Sequence, residues 1–184
     1  MINSKTKKLK TRDLTRSSLF IALIAIGAHI KVPIPYIPFT LQFLFTNLCG
    51  LLLGGEIAFI CIITYVLLGL IGLPVFTTGG GISYILSPSF GYLIGFAVGA
   101  YFAGKFMENK KYDNKNIFLA GLIDIILVYL FGAIYYYFIA NFYLGDITSI
   151  KNVLIYCILL PMPADLFLCA ISIPIAKRLR RVLF

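Results

Sequence analysis

Six long apolar segments follow one another along the chain, at about 15–30, 39–54, 57–73, 89–107, 117–144 and 153–176. A helix that crosses a bilayer needs about 20 apolar residues, and about 17 at the least. The first two segments are short, but all six are read as membrane helices, and 1–184 as a single all-α membrane domain. The breaks between them are short. VPIPYIP, Val32 to Pro38, separates the first two segments. Its alternating prolines cannot continue a helix and favour extended backbone, which predicts an ordered turn. Gly54-Gly55 divides the second segment from the third, and ENKKYDNKN, Glu108 to Asn116, is an aqueous loop between the fourth and fifth.

The break between the third and fourth segments differs from the others. Within GLPVFTTGGGISYILSPSFGYLIGF, Gly72 to Phe96, lie Thr77, Thr78, Gly79, Gly80, Gly81, Ser83 and Tyr84. Irregular, polar backbone beside hydrocarbon is tolerated where protein or a water-filled cavity covers it. The pattern predicts that backbone or hydroxyl groups of this loop face a ligand.

Composition agrees with a membrane chain. Of 184 residues, 60% are hydrophobic and 12% charged, and mean hydropathy is +0.96. Soluble domains are about a quarter charged. A net charge of +9 would fit a nucleic-acid partner, but the basic residues sit at the ends of the apolar segments. There they read as orientation signals and contacts to anionic lipid, with no nucleic acid involved. With the N-terminus in the cytoplasm and six spans, every lysine and arginine except Lys31 and Lys151 falls on the cytoplasmic side. Both termini are then cytoplasmic, the loop at 74–88 is extracellular, and the chain sits in a bacterial or archaeal plasma membrane. The basic-then-apolar start resembles a signal peptide; the further spans behind it make it an uncleaved first helix.

Catalytic chemistry finds little support. His29 is the sole histidine, lies near the outer end of span one, and reads as an interfacial or packing residue. The stretch Gly99 to Lys105 fits the start of a phosphate loop, but Phe106 stands where Ser or Thr would hold magnesium, and the segment continues a membrane helix. No ATPase, other enzyme activity, metal or cofactor is expected. Cys49, Cys61, Cys157 and Cys169 all lie inside apolar segments and read as small packing residues. Gly91, Gly95 and Gly99, and likewise Gly50 and Gly54, recur every four residues and predict close helix packing within one bundle. Tyr135, Tyr136, Tyr137 and Tyr143 cluster at the outer end of span five and read as a headgroup-level belt.

Two carboxylates remain inside spans, Asp124 and Asp165. Acids in hydrocarbon normally face a bundle interior or a functional cavity. Asp165 follows Pro161 and Pro163, which interrupt span six and free backbone carbonyls; the helix beyond them starts near the acid, and its N-terminal dipole favours a negative group. Asp165 is either a helix cap or a fixed acceptor for a ligand's N–H groups. Asp124 is assigned either a buried hydrogen bond to a tyrosine or threonine, or a part in transport or docking. Thr40, Gln42 and Asn47, in PFTLQFLFTNL, either pin the proline turn or share a cavity beneath the glycine-rich loop.

Together these residues resemble the BioY family, the biotin-specific S components of energy-coupling factor (ECF) transporters. The resemblance rests on Pro33 to Gln42, LLLG at Leu51 to Gly54, Gly69 to Phe76, PSFGYLIGF at Pro88 to Phe96, and the Pro-x-Asp element around Asp165. It implies the six-helix S-component fold and capture of biotin from outside, beneath the loops joining spans one–two and three–four. It also implies partners, a transmembrane coupling protein and two cytoplasmic ATPases, with small residues of span one docking on the coupling protein. The matching positions here are Ser18, Ala22 and Ala25. The substrate-binding set is then Gln42, Thr77, Thr78, Gly79, Gly80, Gly81, Ser83, Tyr84 and Asp165. Many members of the family read PGDxxK in the last span. This chain reads PADLFL, with Ala164 for the glycine and Leu168 for the lysine, so one cationic contact is missing; Lys31 and Lys151 are the outer-side cations that could replace it.

Two readings from other classes stand beside this one. A self-sufficient secondary carrier or channel would show repeated, broken or charged helices in matching positions, and Asp124 and Asp165 do not lie in clearly repeated contexts. A small intramembrane enzyme would need paired catalytic groups.

Overall fold

The computed structural model describes residues 11–33 and 37–183. Lys5, Lys7, Lys8 and Lys10 of the basic tail, and the centre of the proline turn at 34–36, lie outside the described residues.

The apolar segments all become helical. Helix α1 runs Thr11–His29, α2 Gln42–Leu53, α3 Gly55–Ile71 and α4 Phe90–Glu108. Helix α5, Asn114–Phe138, runs on as a π-helical turn at Ile139–Leu144. The last helical run is composite: α6 at Ile150–Val153, a π-helical stretch at Leu154–Leu159, and α7 at Met162–Leu183. The proline turn closes on itself: β1, Lys31–Val32, pairs antiparallel with β2, Phe39–Thr40, setting Lys31 opposite Thr40.

Three of these runs are long and apolar enough to cross a membrane: Phe90–Glu108, Asn114–Leu144 and Ile150–Val182. Helices α2 and α3 are apolar but shorter, at 12 and 17 residues. Helix α1 has 19 residues, with Arg12, Asp13 and Arg16 in its first half. On α5, Ile126, Leu130, Ile134 and Phe138 form an exposed stripe with four-residue spacing. A helix apolar on its outer face as well as its inner one belongs in hydrocarbon.

Helix α2 is the hub and touches α1, α3, α4, α5 and α7. Helix α4 lies between α3 and α5, and the glycine stripe explains how closely. A Cβ on Gly91 would lie 2.2 Å from Tyr135 Cβ, one on Gly95 2.7 Å from Val128 Cα, and one on Gly99 2.1 Å from Asp124 Oδ1. A Cβ on Gly50 would lie 2.6 Å from the Ala100 carbonyl oxygen. The four-residue glycine spacing thus serves contacts inside one bundle.

One end of the bundle is charged and pinned by polar contacts. Lys105 Nζ pairs with Glu56 at 2.8 Å and Glu108 at 3.3 Å. Asp113 caps α5 by accepting from Asn116 N at 2.8 Å. Tyr112 Oη donates to Leu51 O at 3.3 Å, and the Arg180 guanidinium lies 4.0 Å from its ring centroid. Burial pushes the Tyr112 phenol up to about 12 against the opposing pull of Arg180, so it remains a donor at any ordinary pH. The opposite end carries the β1–β2 hairpin, the segment between α3 and α4, and the Gly145 turn.

Candidate ligand-binding site

A cavity of about 50 Å³ lies at the hairpin end. Gln42 of α2, Tyr92 of α4, Tyr129 of α5 and Asp165 of α7 bring polar groups to it, and Thr77 and Tyr84 come from the segment between α3 and α4. Phe39, Phe43, Leu93, Phe96 and Val128 supply apolar wall. This mixture of aromatic surface with a few fixed polar groups is the usual character of a small-molecule site.

Asp165 is held where the prolines allow. Pro161 has no N–H, so the carbonyl of Cys157, four residues earlier, loses its helical donor. Tyr92 Oη supplies the replacement, donating to Cys157 O at 2.7 Å. The chain then turns and α7 begins, with Asp165 in its first turn and its N–H on Pro161 O at 3.2 Å. The carboxylate is buried, and Tyr129 Oη donates to its Oδ2 at 2.5 Å. The other oxygen takes no donor among the described residues. Asp165 thus stands at a helix start and also lines the cavity.

A second chain of bonds fixes the opposite wall. Gln42 Nε2 donates to Tyr65 Oη at 2.9 Å, and Tyr65 Oη donates to Val75 O at 2.8 Å. Gln42 therefore ties α2 to α3 and to the start of the glycine-rich segment, and touches the cavity while doing so. Thr40 Oγ1 accepts from Gln42 N at 3.3 Å. Tyr84 lies against Phe76 with ring centroids 4.3 Å apart, and its hydroxyl meets Ser89 Oγ at 3.1 Å.

Of the residues expected at the site, Gln42, Thr77, Tyr84 and Asp165 line the cavity; Thr78, Gly79, Gly80, Gly81 and Ser83 are not among its lining residues. The glycines have another duty. Phe76 and Gly79 exchange backbone hydrogen bonds, and Gly81 N donates to Gly69 O at 2.7 Å. A Cβ on Gly80 would lie 2.1 Å from Leu73 O, so the loop folds back on the end of α3 at a distance only glycine permits. Asn47 is fully buried and bonds Ser172 Oγ at 3.3 Å, away from the cavity lining.

Lys31 Nζ donates to Thr77 O at 2.9 Å and so bridges the hairpin to the cavity-lining loop, whereas Lys151 is exposed on α6. Leu168 is buried in the core. Tyr136 is buried, contrary to a headgroup position, and Tyr135 donates to Ile85 O; Tyr143 is exposed. The four cysteines are buried and free. His29 is exposed and bonds Ala25 O through Nδ1 at 2.9 Å. On α1, Ser18 and Ala22 are exposed and Ala25 is half-buried, along one face. Tyr129 and Tyr92 were not anticipated, because their partners lie 36 and 65 residues away in sequence.

The helical bundle has the fold of an ECF S component. A crystal structure of the S component for biotin from an ECF-type ABC transporter matches it with a TM-score of 0.80 and 28% identity, over 92% of this chain and 91% of that one. The sequence pattern of the BioY family matches residues 3–184, and the chain belongs to that family. It is 41% identical over 177 residues to a probable biotin transporter BioY of Lysinibacillus sphaericus, covering 96% of this chain and 90% of the relative. It is 38% identical over 143 residues to the biotin transporter BioY of Thermotoga maritima, covering 77% and 82%. A probable biotin transporter BioY of Pyrococcus horikoshii is 34% identical over 173 residues, covering 94% and 98%.

Proposed function

We propose that this chain is the biotin-binding S component of an ECF transporter, taking biotin from the outside and delivering it to the cytoplasm with a transmembrane coupling protein and two ATPases. The observation that carries this reading is the buried Asp165–Tyr129 pair at the wall of a largely apolar cavity. Biotin offers two ureido N–H donors, a strong carbonyl acceptor, an apolar thioether ring and a carboxylate tail. The free oxygen of Asp165 accepts from the ureido N–H groups. Gln42 or a tyrosine hydroxyl donates to the ureido oxygen, and the aromatic walls cover the rings. The backbone N–H groups of Thr78 and Gly80 in the glycine-rich turn, which donate to no backbone acceptor among the described residues, suit the carboxylate. Lys31, tied to Thr77 at the rim, is the nearby cation for the same group in place of the lysine missing at Leu168.

In this account all six helical runs span the plasma membrane, both termini are cytoplasmic, and the cavity opens outward. A cysteine replacing Ile82, which is exposed in the same loop near residue 80, is expected to react with a membrane-impermeant maleimide in intact cells; reaction only after permeabilisation would reverse the orientation. The face of α1 that carries Ser18, Ala22 and Ala25 is the docking face for the coupling protein. Uptake of labelled biotin in a host without ECF components is expected only when the coupling protein and ATPases are co-expressed. Concentrative uptake by this chain alone would favour a secondary carrier.

A further inference from the structure

The bundle encloses two acids, and only one of them lines the cavity. Asp124 on α5 is fully buried, and neither of its carboxyl oxygens has a hydrogen-bond partner among the described residues. Asn47 Oδ1 on α2 is the other buried side-chain acceptor without a partner among the described residues. Both groups belong to one interface. Gly121 precedes Asp124 by one helical turn and faces the same way; a Cβ there would lie 3.3 Å from Asn47 Nδ2 and 2.2 Å from Cys169 Sγ. The fourth wall is the α4 backbone at Gly99, packed directly on Asp124 Oδ1.

Among the described residues no salt bridge to this carboxyl forms. Cys49 on α2 and Cys169 and Asp165 on α7 lie near it, and α4 meets it with the backbone of Gly99. An ionised carboxylate in a dry interior, with neither a donor nor an opposite charge, is among the costliest arrangements a fold can contain, and such a group neutralises instead. A metal cation does not resolve it. Hard cations take about six to eight oxygen ligands, and the interface offers three unpartnered acceptor atoms.

We propose that Asp124 is a proton-binding site, occupied in the resting protein, with Asn47 Oδ1 as the acceptor available to the acid's hydrogen. The bound proton satisfies two orphaned groups at once and spares the bundle interior a second negative charge beside Asp165.

The test is infrared spectroscopy of the purified full chain at neutral pH, in water and in deuterium oxide. A protonated-carboxyl C=O band is expected in the wild type and in Asp165→Asn, shifted down by deuterium and lost in Asp124→Asn. The remaining side-chain carboxyls, of Asp13, Glu56, Glu108, Asp113 and Asp146, are half-buried or exposed, so a band that persists in Asp165→Asn belongs to Asp124. The decision therefore stands even if Asp124→Asn does not fold. Absence of the band at neutral pH in Asp165→Asn overturns the proposal. The readout needs no ligand and is independent of the biotin assignment.

Discussion

Asp165→Ala is expected to weaken biotin binding by roughly 5- to 150-fold while leaving the helical content and elution volume of the purified chain unchanged. Deleting one partner of a buried hydrogen bond costs about 1–3 kcal/mol, because the other partner keeps its desolvation penalty, and a tenfold change in affinity is about 1.4 kcal/mol. The ligand's N–H groups would lose their acceptor, and Tyr129 Oη would lose the oxygen it now meets at 2.5 Å. The fold should survive, since the start of α7 is set by Pro161 and Pro163 and by backbone bonds to Pro161 O. Affinity measured by titration calorimetry, with circular dichroism as the control, checks both halves. An unchanged affinity would remove Asp165 from the site.

Gly95→Leu is expected to do the reverse and damage the fold itself. Helices α4 and α5 meet at Gly95 through main chain, with Val128 Cα 2.7 Å and Val128 O 2.8 Å from where a Cβ would stand. No rotamer relieves a clash with backbone, so the helices must part. Overpacking a tight core costs about 1–3 kcal/mol and at times more. In a chain of this size each kcal/mol lowers the melting temperature by about 2–4 °C, which sets the loss at roughly 6–12 °C for a cost near the upper value. Ile94→Ala, one residue away on the exposed side of α4, is the matched control and should shift melting by far less. Equal shifts in the two variants would mean that the α4–α5 contact is not what the glycine spacing serves.

Much of the fold could be read from the chain because hydrocarbon imposes a coarse rule. Each apolar segment became a helical run, and the breaks at Gly54, at 109–113 and at the proline turn fell where glycine, charge and proline placed them. The interruption of the last run was legible for the same reason: Pro161 lacks an N–H, and its neighbours must compensate. What compensates was not legible. Tyr92 reaches Cys157 O from 65 residues away, and no local pattern encodes that pairing. Tyr129 was hidden in the same way inside a span whose apolar character dominates.

The glycine-rich loop shows the other limit. Its composition sets the segment apart, but glycine signals close approach without saying to what. Gly80 approaches the end of α3, and the cavity is met by Thr77 and Tyr84 on either side. Asp124 marks a third case. An acid inside a span announces that something neutralises it, and the sequence leaves a hydroxyl donor and a part in transport or docking open; the packed interface supplies no hydrogen-bond donor to either oxygen among the described residues.

The central claim is that this chain alone holds a site for biotin, formed by Asp165 and Tyr129 beneath the loop between α3 and α4. Isothermal titration of biotin into the purified chain, without ATP, coupling protein or ATPases, tests it most directly. The account predicts saturable binding of one biotin per chain at micromolar or lower concentration; no heat of binding across the micromolar range, from a chain that is folded by circular dichroism, would contradict it.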